Sequence, residues 1–256
     1  MNDLRLTAGI SLLVDAFWAR VPEELRAFPR DLARASSIAL PVVTKELAGL
    51  SLDGVNEWLA DRGLVESLDG RNRRLRGCLL AYGGYGILLV DANDPDSERR
   101  FTTAHELAHF LLDYAEPRRK AIEALGEGIV PVLDGVRSPT QTERLHSILS
   151  AVPFGMHVAL MERTATGGYT ARTTLDAEHE ADHLALELLA PAADAQEAIK
   201  GITGPDMTKA ERHRQAAQLL FARYGLPDEQ AWGYAKRLLK ETGHSPNVRD
   251  WLGIVK

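Results

Sequence analysis

The stretch from Phe101 to Phe110 contains His105-Glu106-Leu107-Ala108-His109, whose residue types and spacing suit metal chemistry. On a helix, residues four apart lie on one face, so His105 and His109 can offer two imidazole nitrogens to one ion. Glu106 sits one residue round from His105, close enough to reach a water on that ion without ligating it. Zinc held by two such histidines and one carboxylate keeps an open position for water and lowers that water's pKa towards ~7. A neighbouring carboxylate then serves as general base, the arrangement used to hydrolyse peptide bonds.

A third protein ligand must come from elsewhere. A metzincin places a histidine six residues after His109, but position 115 is Ala. The segment Glu178-His179-Glu180-Ala181-Asp182 offers a glutamate on a second helix. Glu178 and Asp182 share a helix face, so Glu178 can ligate while Asp182 holds a histidine through its second ring nitrogen. Glu180 points elsewhere and is the second choice. His179 and His183 are also four apart but have no glutamate in the required place, and they read as surface residues. Cys78, the single thiol, has two readings: a small core hydrophobe, or a thiolate occupying zinc's open position and holding the site inactive.

These residues need helices and a sheet to position them. Phe101, Ala104, Ala108 and Leu112 recur at helical spacing on the face that carries both histidines. Asp94-Pro95 reads as an N-cap followed by Pro at the first helical position. Upstream, Leu79 to Tyr82 and Gly86 to Val90 flank Gly83-Gly84, a hairpin signal, and one of these strands is a candidate edge for binding an extended peptide. Earlier still, residues 4–19 read as a helix with Leu4, Ile10, Leu13, Val14 and Phe17 as core candidates, and 30–36 as a short helix. Ile38 to Val43 reads as a strand, and Ser51 as the N-cap of a helix carrying Val55, Trp58 and Leu59, with Gly63 past its end. The cluster Arg71, Arg73, Arg74 and Arg76 suits a solvated loop better than a phosphate-contacting patch.

Downstream, Ser138-Pro139-Thr140-Gln141 reads as a capping box opening a helix through about Val152. Met156 to Arg163 has strand character, Thr166 to Tyr169 reads as a turn, and Thr174 as the cap of the helix bearing Glu178. Residues 209–223 and 228–242 are two helices joined at Tyr224-Gly225-Leu226-Pro227. They suit a helical hairpin better than a helix-turn-helix, although Arg212, Arg214, Arg223 and Lys236 keep a DNA-binding role open.

The chain of 256 residues is 45% hydrophobic and 26% charged, ordinary for a globular protein. Its net charge of −6 does not predict nucleic-acid binding. One cysteine fits a reducing compartment. The run Leu4 to Val21 is interrupted by Asp15 and Arg20 and lacks a basic start, so it does not read as a signal peptide. No apolar stretch approaches the length of a membrane span. A cytoplasmic protein is expected.

Two segments taken together are similar to the ImmA/IrrE metallopeptidase family. One is Arg100-Phe101-Thr102 before Ala104-His105-Glu106-Leu107-Ala108-His109-Phe110; the other is Glu178-x-x-Ala181-Asp182-x-x-Ala185-x-Glu187-Leu188-Leu189-x-Pro191. The strand at Gly77 and the glycine hairpin fit that family's approach to the motif. The resemblance covers 75–114 and 172–192 well and the flanks loosely.

The resemblance implies an α+β fold, mainly helical, with a small antiparallel sheet beside the HExxH helix in a gluzincin-like core. It implies Zn2+ held by His105, His109 and Glu178, with Glu106 as general base. The substrate it implies is a protein partner, a helix-turn-helix repressor whose cleavage relieves repression under stress, DNA damage or phage-related signals. DNA is a candidate activating ligand, and no membrane is implied. The alternative is a non-proteolytic regulator or DNA-sensing protein with a structural or blocked zinc site. Expected domains are an N-terminal helical region at 1–75, a peptidase core at 76–192 and a C-terminal helical region at 193–256. The long separation of His109 from Glu178 makes 115–172 an inserted lid or subdomain. His146, His157 or Tyr169 from that insertion is expected to stabilise an oxyanion.

Overall fold

Gly77 and Gly86 are the points where the histidine-bearing helix meets a β-sheet, and their missing side chains set how closely it approaches. The computed structural model describes residues 2–64, 67–150, 152–163, 172–204 and 206–241, with side chains over the same spans except 2–8, 146–150, 172–174 and 241. In chain order the elements are α1 (Asn2–Trp18), α2 (Leu32–Ala39), β1 (Val42–Leu47), α3 (Leu52–Ala60), β2 (Leu75–Tyr82), β3 (Tyr85–Asp91) and α4 (Asp96–His109). They continue with a π turn at Phe110–Ala115, α5 (Glu116–Leu125), α6 (Val130–Leu133), α7 (Gln141–Ser150), β4 (His157–Glu162), α8 (Arg172–Leu189), α9 (Ala192–Ile202), α10 (Lys209–Tyr224) and α11 (Asp228–Glu241).

The chain divides into two compact units. Leu32–Ala185 forms one, and the described residues of Met1–Asp31 and Leu186–Lys256 form the other. The strand β1 and helix α3, which the sequence reading places in a separate N-terminal region, therefore share a unit with the HExxH helix. The physical reason is strand pairing, since β1 runs parallel to β3 from Val42 opposite Gly86 to Leu47 opposite Asp91.

The expected hairpin is present: β2 and β3 pair antiparallel around Gly83 and Gly84, whose φ values of 60° and 88° only glycine adopts freely. The sheet order is β1-β3-β2-β4. It is mixed rather than antiparallel, because β1 joins in parallel. Both hairpin strands are internal, so neither is the free edge expected of them. The segment at 157–162 covers β2 in antiparallel register, Cys78 opposite Leu160 and Ala81 opposite His157, and β4 becomes the edge on that side.

Side chains alternate across a strand, and this sorts the sheet into two faces. On one face Cys78, Leu80 and Leu89 join Leu50, Val55, Leu59 and Leu75 in a core beneath α3, with Val158 and Leu160 packed against it. Ser51 caps α3 as expected, its hydroxyl accepting from Gly54 N at 3.2 Å. The other face carries α4. A Cβ on Gly77 would lie 2.5 Å from Thr102 Cγ2 and 2.6 Å from Glu106 Oε1, and one on Gly86 would lie 2.7 Å from the Phe110 ring. Thr102 and Glu106 of α4, with Phe110 at the start of the π turn, thus form the stripe that meets the sheet.

Every residue of α4 from Phe101 to His109 is buried. The expected one-sided stripe understates this, and Leu112, counted in it, is only half-buried. The helix also starts one residue later than expected. Pro95 is its N-cap, while Asp94 is buried against Arg163 at 2.7 Å. Arg163, at the end of β4, also pairs with fully buried Asp91 at 2.6 Å, and Asp91 accepts from the backbone of Gly49 and Asn93. Other boundaries move similarly. Ile38 lies in α2 and the strand begins only at Val42. The helix that α8 forms begins at Arg172, so Thr174 lies inside it. The basic cluster at 71–76 is a structural one, with Arg73 paired to Glu162 and Arg76 to Glu98. The expected turn at Thr166 to Tyr169 lies outside the described residues.

After the π turn, the segment of α5 and α6 gathers Ala121, Ile129, Val132, Leu133 and Val152 into a small core of their own. Within the second unit, Ile10, Val14 and Phe17 of α1 are buried, while the side chain of Leu4 lies outside the described residues. Tyr224 meets Phe28 edge-on at 4.7 Å. The Arg30 guanidinium lies 4.2 Å over the Trp18 ring and donates to Leu188 O at 2.6 Å. Thr208 and Glu211 form a capping box for α10, and Gly225 ends it in the left-handed region at φ 65°. Of the four cations that kept DNA binding open, Arg223 is paired with Asp194 and Arg212 donates to Gly204 O. Among the described residues no helix is long and apolar enough to cross a membrane.

Overpacking at the helix–sheet contact gives a direct test. Gly77→Ala should lower stability by about 1–3 kcal/mol in urea unfolding of the intact chain. Gly9→Ala, in α1 with nothing within 4 Å, should be neutral or stabilising.

Candidate metal centre

The first two donors come from α4 and the third from α8. His105 Nε2 and His109 Nε2 lie 3.1 Å apart. Glu178 Oε2 is 3.3 Å from the first and Glu178 Oε1 is 3.6 Å from the second. A metal ion held tetrahedrally at ~2.1 Å from three donors would space them ~3.4 Å apart, so the two imidazoles and the Glu178 carboxylate fit one ion. Among the described residues they form the one cluster of histidine, cysteine and acidic side chains that could hold a metal.

The far nitrogens are also engaged. His105 Nδ1 bonds Asp182 Oδ1 at 2.9 Å, the contact expected for Asp182. His109 Nδ1 bonds Asp113 Oδ2 at 2.7 Å, a partner that the sequence reading did not identify. Asp113 lies four residues after His109, inside the π turn, and that spacing was its available signal. With both Nδ1 atoms facing carboxylates, each imidazole turns its Nε2 towards Glu178 and towards the other ring.

The electrostatics call for positive charge at that point. Burial works to lower the His105 pKa, but Asp182, Glu178 and Glu106 outweigh it and raise it to about 9. In His109 burial is likewise outweighed by Asp113, Glu178 and Glu106, and the pKa rises to about 10. Burial alone would raise Glu178, yet the two imidazoles hold it down to about 2. Metal-free, protons supply the charge; a bound cation would take their place.

Glu106 behaves differently. It is fully buried beneath Gly77, and neither oxygen has a hydrogen-bond partner of ordinary geometry among the described residues. Burial pushes its pKa up to about 7 against the pull of His105 and His109. A carboxylate poised near neutrality, next to a metal site but outside its ligand set, suits proton transfer.

The remaining expectations sort by position. Glu180 is half-buried and lies outside the cluster, and burial with Asp113 and Asp176 nearby raises its pKa. His179 is exposed and His183 half-buried, and neither joins the three donors. Cys78 is not a cap on this site. Gly77 faces α4, so Cys78 faces the opposite side of the sheet, buried among Val55, Leu59 and Leu80. Burial also raises its pKa well above the usual thiol value, which keeps the sulfur protonated. Of the three oxyanion candidates, only His157 has a described side chain. It shares the face of Ala81 and Leu79, stacked on Tyr114 with centroids 6.3 Å apart, and burial lowers its pKa. The His146 side chain and Tyr169 lie outside the described residues.

A helix presenting HExxH, met by a glutamate from a second helix, defines a metallopeptidase-like centre. Residues 66–127 match the family model described as the IrrE N-terminal-like domain, Peptidase_M78, and this match supports membership of the ImmA/IrrE family. No curated protein and no solved structure matches the chain. The matched residues include α4 and end before α8, so Glu178 takes its place in the centre on geometry.

Metal analysis separates the two residues whose readings diverged. Glu178→Ala should lose most of its bound metal. Cys78→Ala should keep it, with a stability cost on the order of 1 kcal/mol.

Proposed function

We propose that this protein is a zinc-dependent endopeptidase that cleaves a protein partner. The observation that carries the proposal is the convergence of His105 Nε2, His109 Nε2 and the Glu178 carboxylate, with Glu106 buried beside them. The donor set of two imidazoles and one carboxylate is that of catalytic zinc sites. Zinc bound there supplies Lewis acidity, which acidifies water and polarises a carbonyl. His105, His109 and Glu178 hold the ion, and Asp182 orients His105 through Nδ1. The Glu106 carboxylate takes a proton from the attacking water and returns it to the leaving amine. The edge of β4 supports binding of the substrate as an extended strand through main-chain hydrogen bonds.

The partner proposed is a helix-turn-helix repressor, cleaved in the cytoplasm to relieve repression under stress, DNA damage or phage-related signals. This finer reading rests on the resemblance to the ImmA/IrrE family. A non-proteolytic regulator with a structural zinc site would have no use for a base, and Glu106, buried beside the two histidines, favours the enzyme.

The test uses the purified chain and a candidate repressor, such as a small helix-turn-helix protein encoded beside it. Cleavage should occur with zinc and stop when a chelator is added. Glu106→Gln should retain zinc and the fold while losing nearly all cleavage, because an amide cannot accept the proton. Near-normal activity in that variant would remove Glu106 as the base.

A further inference from the structure

The two histidines of the metal centre are each clamped from behind, and by different means. His105 is held by Asp182 of α8, the helix that also supplies Glu178. His109 is held by Asp113 from its own chain direction, in the π turn Phe110–Ala115 that follows it at once. A histidine and an aspartate four apart form an ordinary surface pair on many helices. Two observations set this pair apart. The His109 side chain is only 5% exposed, whereas a surface pair leaves the ring in solvent. Its other nitrogen is aimed at His105 Nε2 and Glu178 rather than at solvent. Single π turns recur at functional sites, where they re-aim a side chain.

We infer that Asp113 is a positioning residue for the metal centre, its carboxylate holding the Nδ1–H of His109 so that the Nε2 lone pair faces the ion. The inference rests on the metallopeptidase reading and extends it to a residue outside HExxH and outside α8. An imidazole that donates from Nδ1 can present only Nε2 as a ligand, so the acceptor at Nδ1 selects the tautomer and fixes the ring plane. A carboxylate acceptor also makes the ligating nitrogen more basic, which strengthens its bond to a cation. With Asp182 and Asp113 both in place, the two donors of α4 are set before the ion arrives. His157 and Glu180 are the other ionisable neighbours of Asp113.

The test measures zinc affinity of the full chain by competition with a chromogenic chelator, in wild type, Asp113→Ala and Asp113→Asn. Loss of such a partner weakens metal binding about 10–100-fold, and Asp113→Ala should fall in that range. Asp113→Asn keeps an acceptor but not the charge, so it should lie between Asp113→Ala and wild type. Nuclear magnetic resonance of the zinc-loaded protein adds a signature that a purely structural role would not give. The Nδ1 proton of His109 should be protected from exchange in wild type and lose that protection in Asp113→Ala. If Asp113→Ala does not fold, the same-shaped Asp113→Asn decides through its affinity. Wild-type affinity in the variants, beside a wild type that binds zinc, overturns this inference alone. A wild-type chain that takes no zinc overturns it together with the proposed function.

Discussion

The close packing of α4 against the sheet is the contact on which the rest of the centre depends. Thr102, Glu106 and Phe110 occupy space that side chains at Gly77 and Gly86 would fill. Because the helix approaches this closely, Glu106 is held beneath the sheet, out of water and beside the backbone of Leu79. The rotation of the helix that buries Glu106 also decides where His105 and His109 point, since the three are joined by one rigid backbone. The same alternation that turns Gly77 towards the helix turns Cys78 away from it. Base, ligands and the fate of the thiol therefore follow from one packing geometry.

The second ingredient is negative charge gathered around two buried imidazoles. Glu178, Asp182, Asp113 and Glu106 surround two imidazoles that are nearly fully buried. Such a cluster is expensive to assemble unless positive charge sits at its middle. The carboxylates divide the work. Glu178 is held ionised by the rings, Asp182 and Asp113 lie behind them, and Glu106 alone is pushed towards the neutral form by burial. One environment thus sets a ligand and a proton carrier apart.

Local chemistry made part of this legible in the sequence. The i, i+4 rule placed His105 with His109, and Glu178 with Asp182, because helix periodicity is independent of what surrounds it. Gly83-Gly84 marked the hairpin, since only glycine takes that backbone freely. What escaped was long-range. Nothing in 42–47 states that it pairs parallel with β3, and nothing in 157–162 states that it covers β2. Both depend on partners distant in sequence, and together they changed the sheet from antiparallel to mixed and moved its edge. Asp113 escaped for a different reason: an aspartate four residues past a histidine is common, and its meaning came only from the burial of the ring beside it.

The strand β4 lies in the segment between α4 and α8, whereas His105, Glu106, His109 and Glu178 lie on those two helices. Such an outer strand offers backbone amides and carbonyls that are alike for any guest sequence, so the rail itself discriminates little. In the proposed reading, selectivity resides in the side chains standing off it, His157, Ala159 and Met161 on the α4 face. None of those three positions belongs to the cluster of His105, His109 and Glu178. In the proposed reading, a lineage carrying this architecture can change what it recognises while keeping its three donors, because the two are written in separate stretches of the chain.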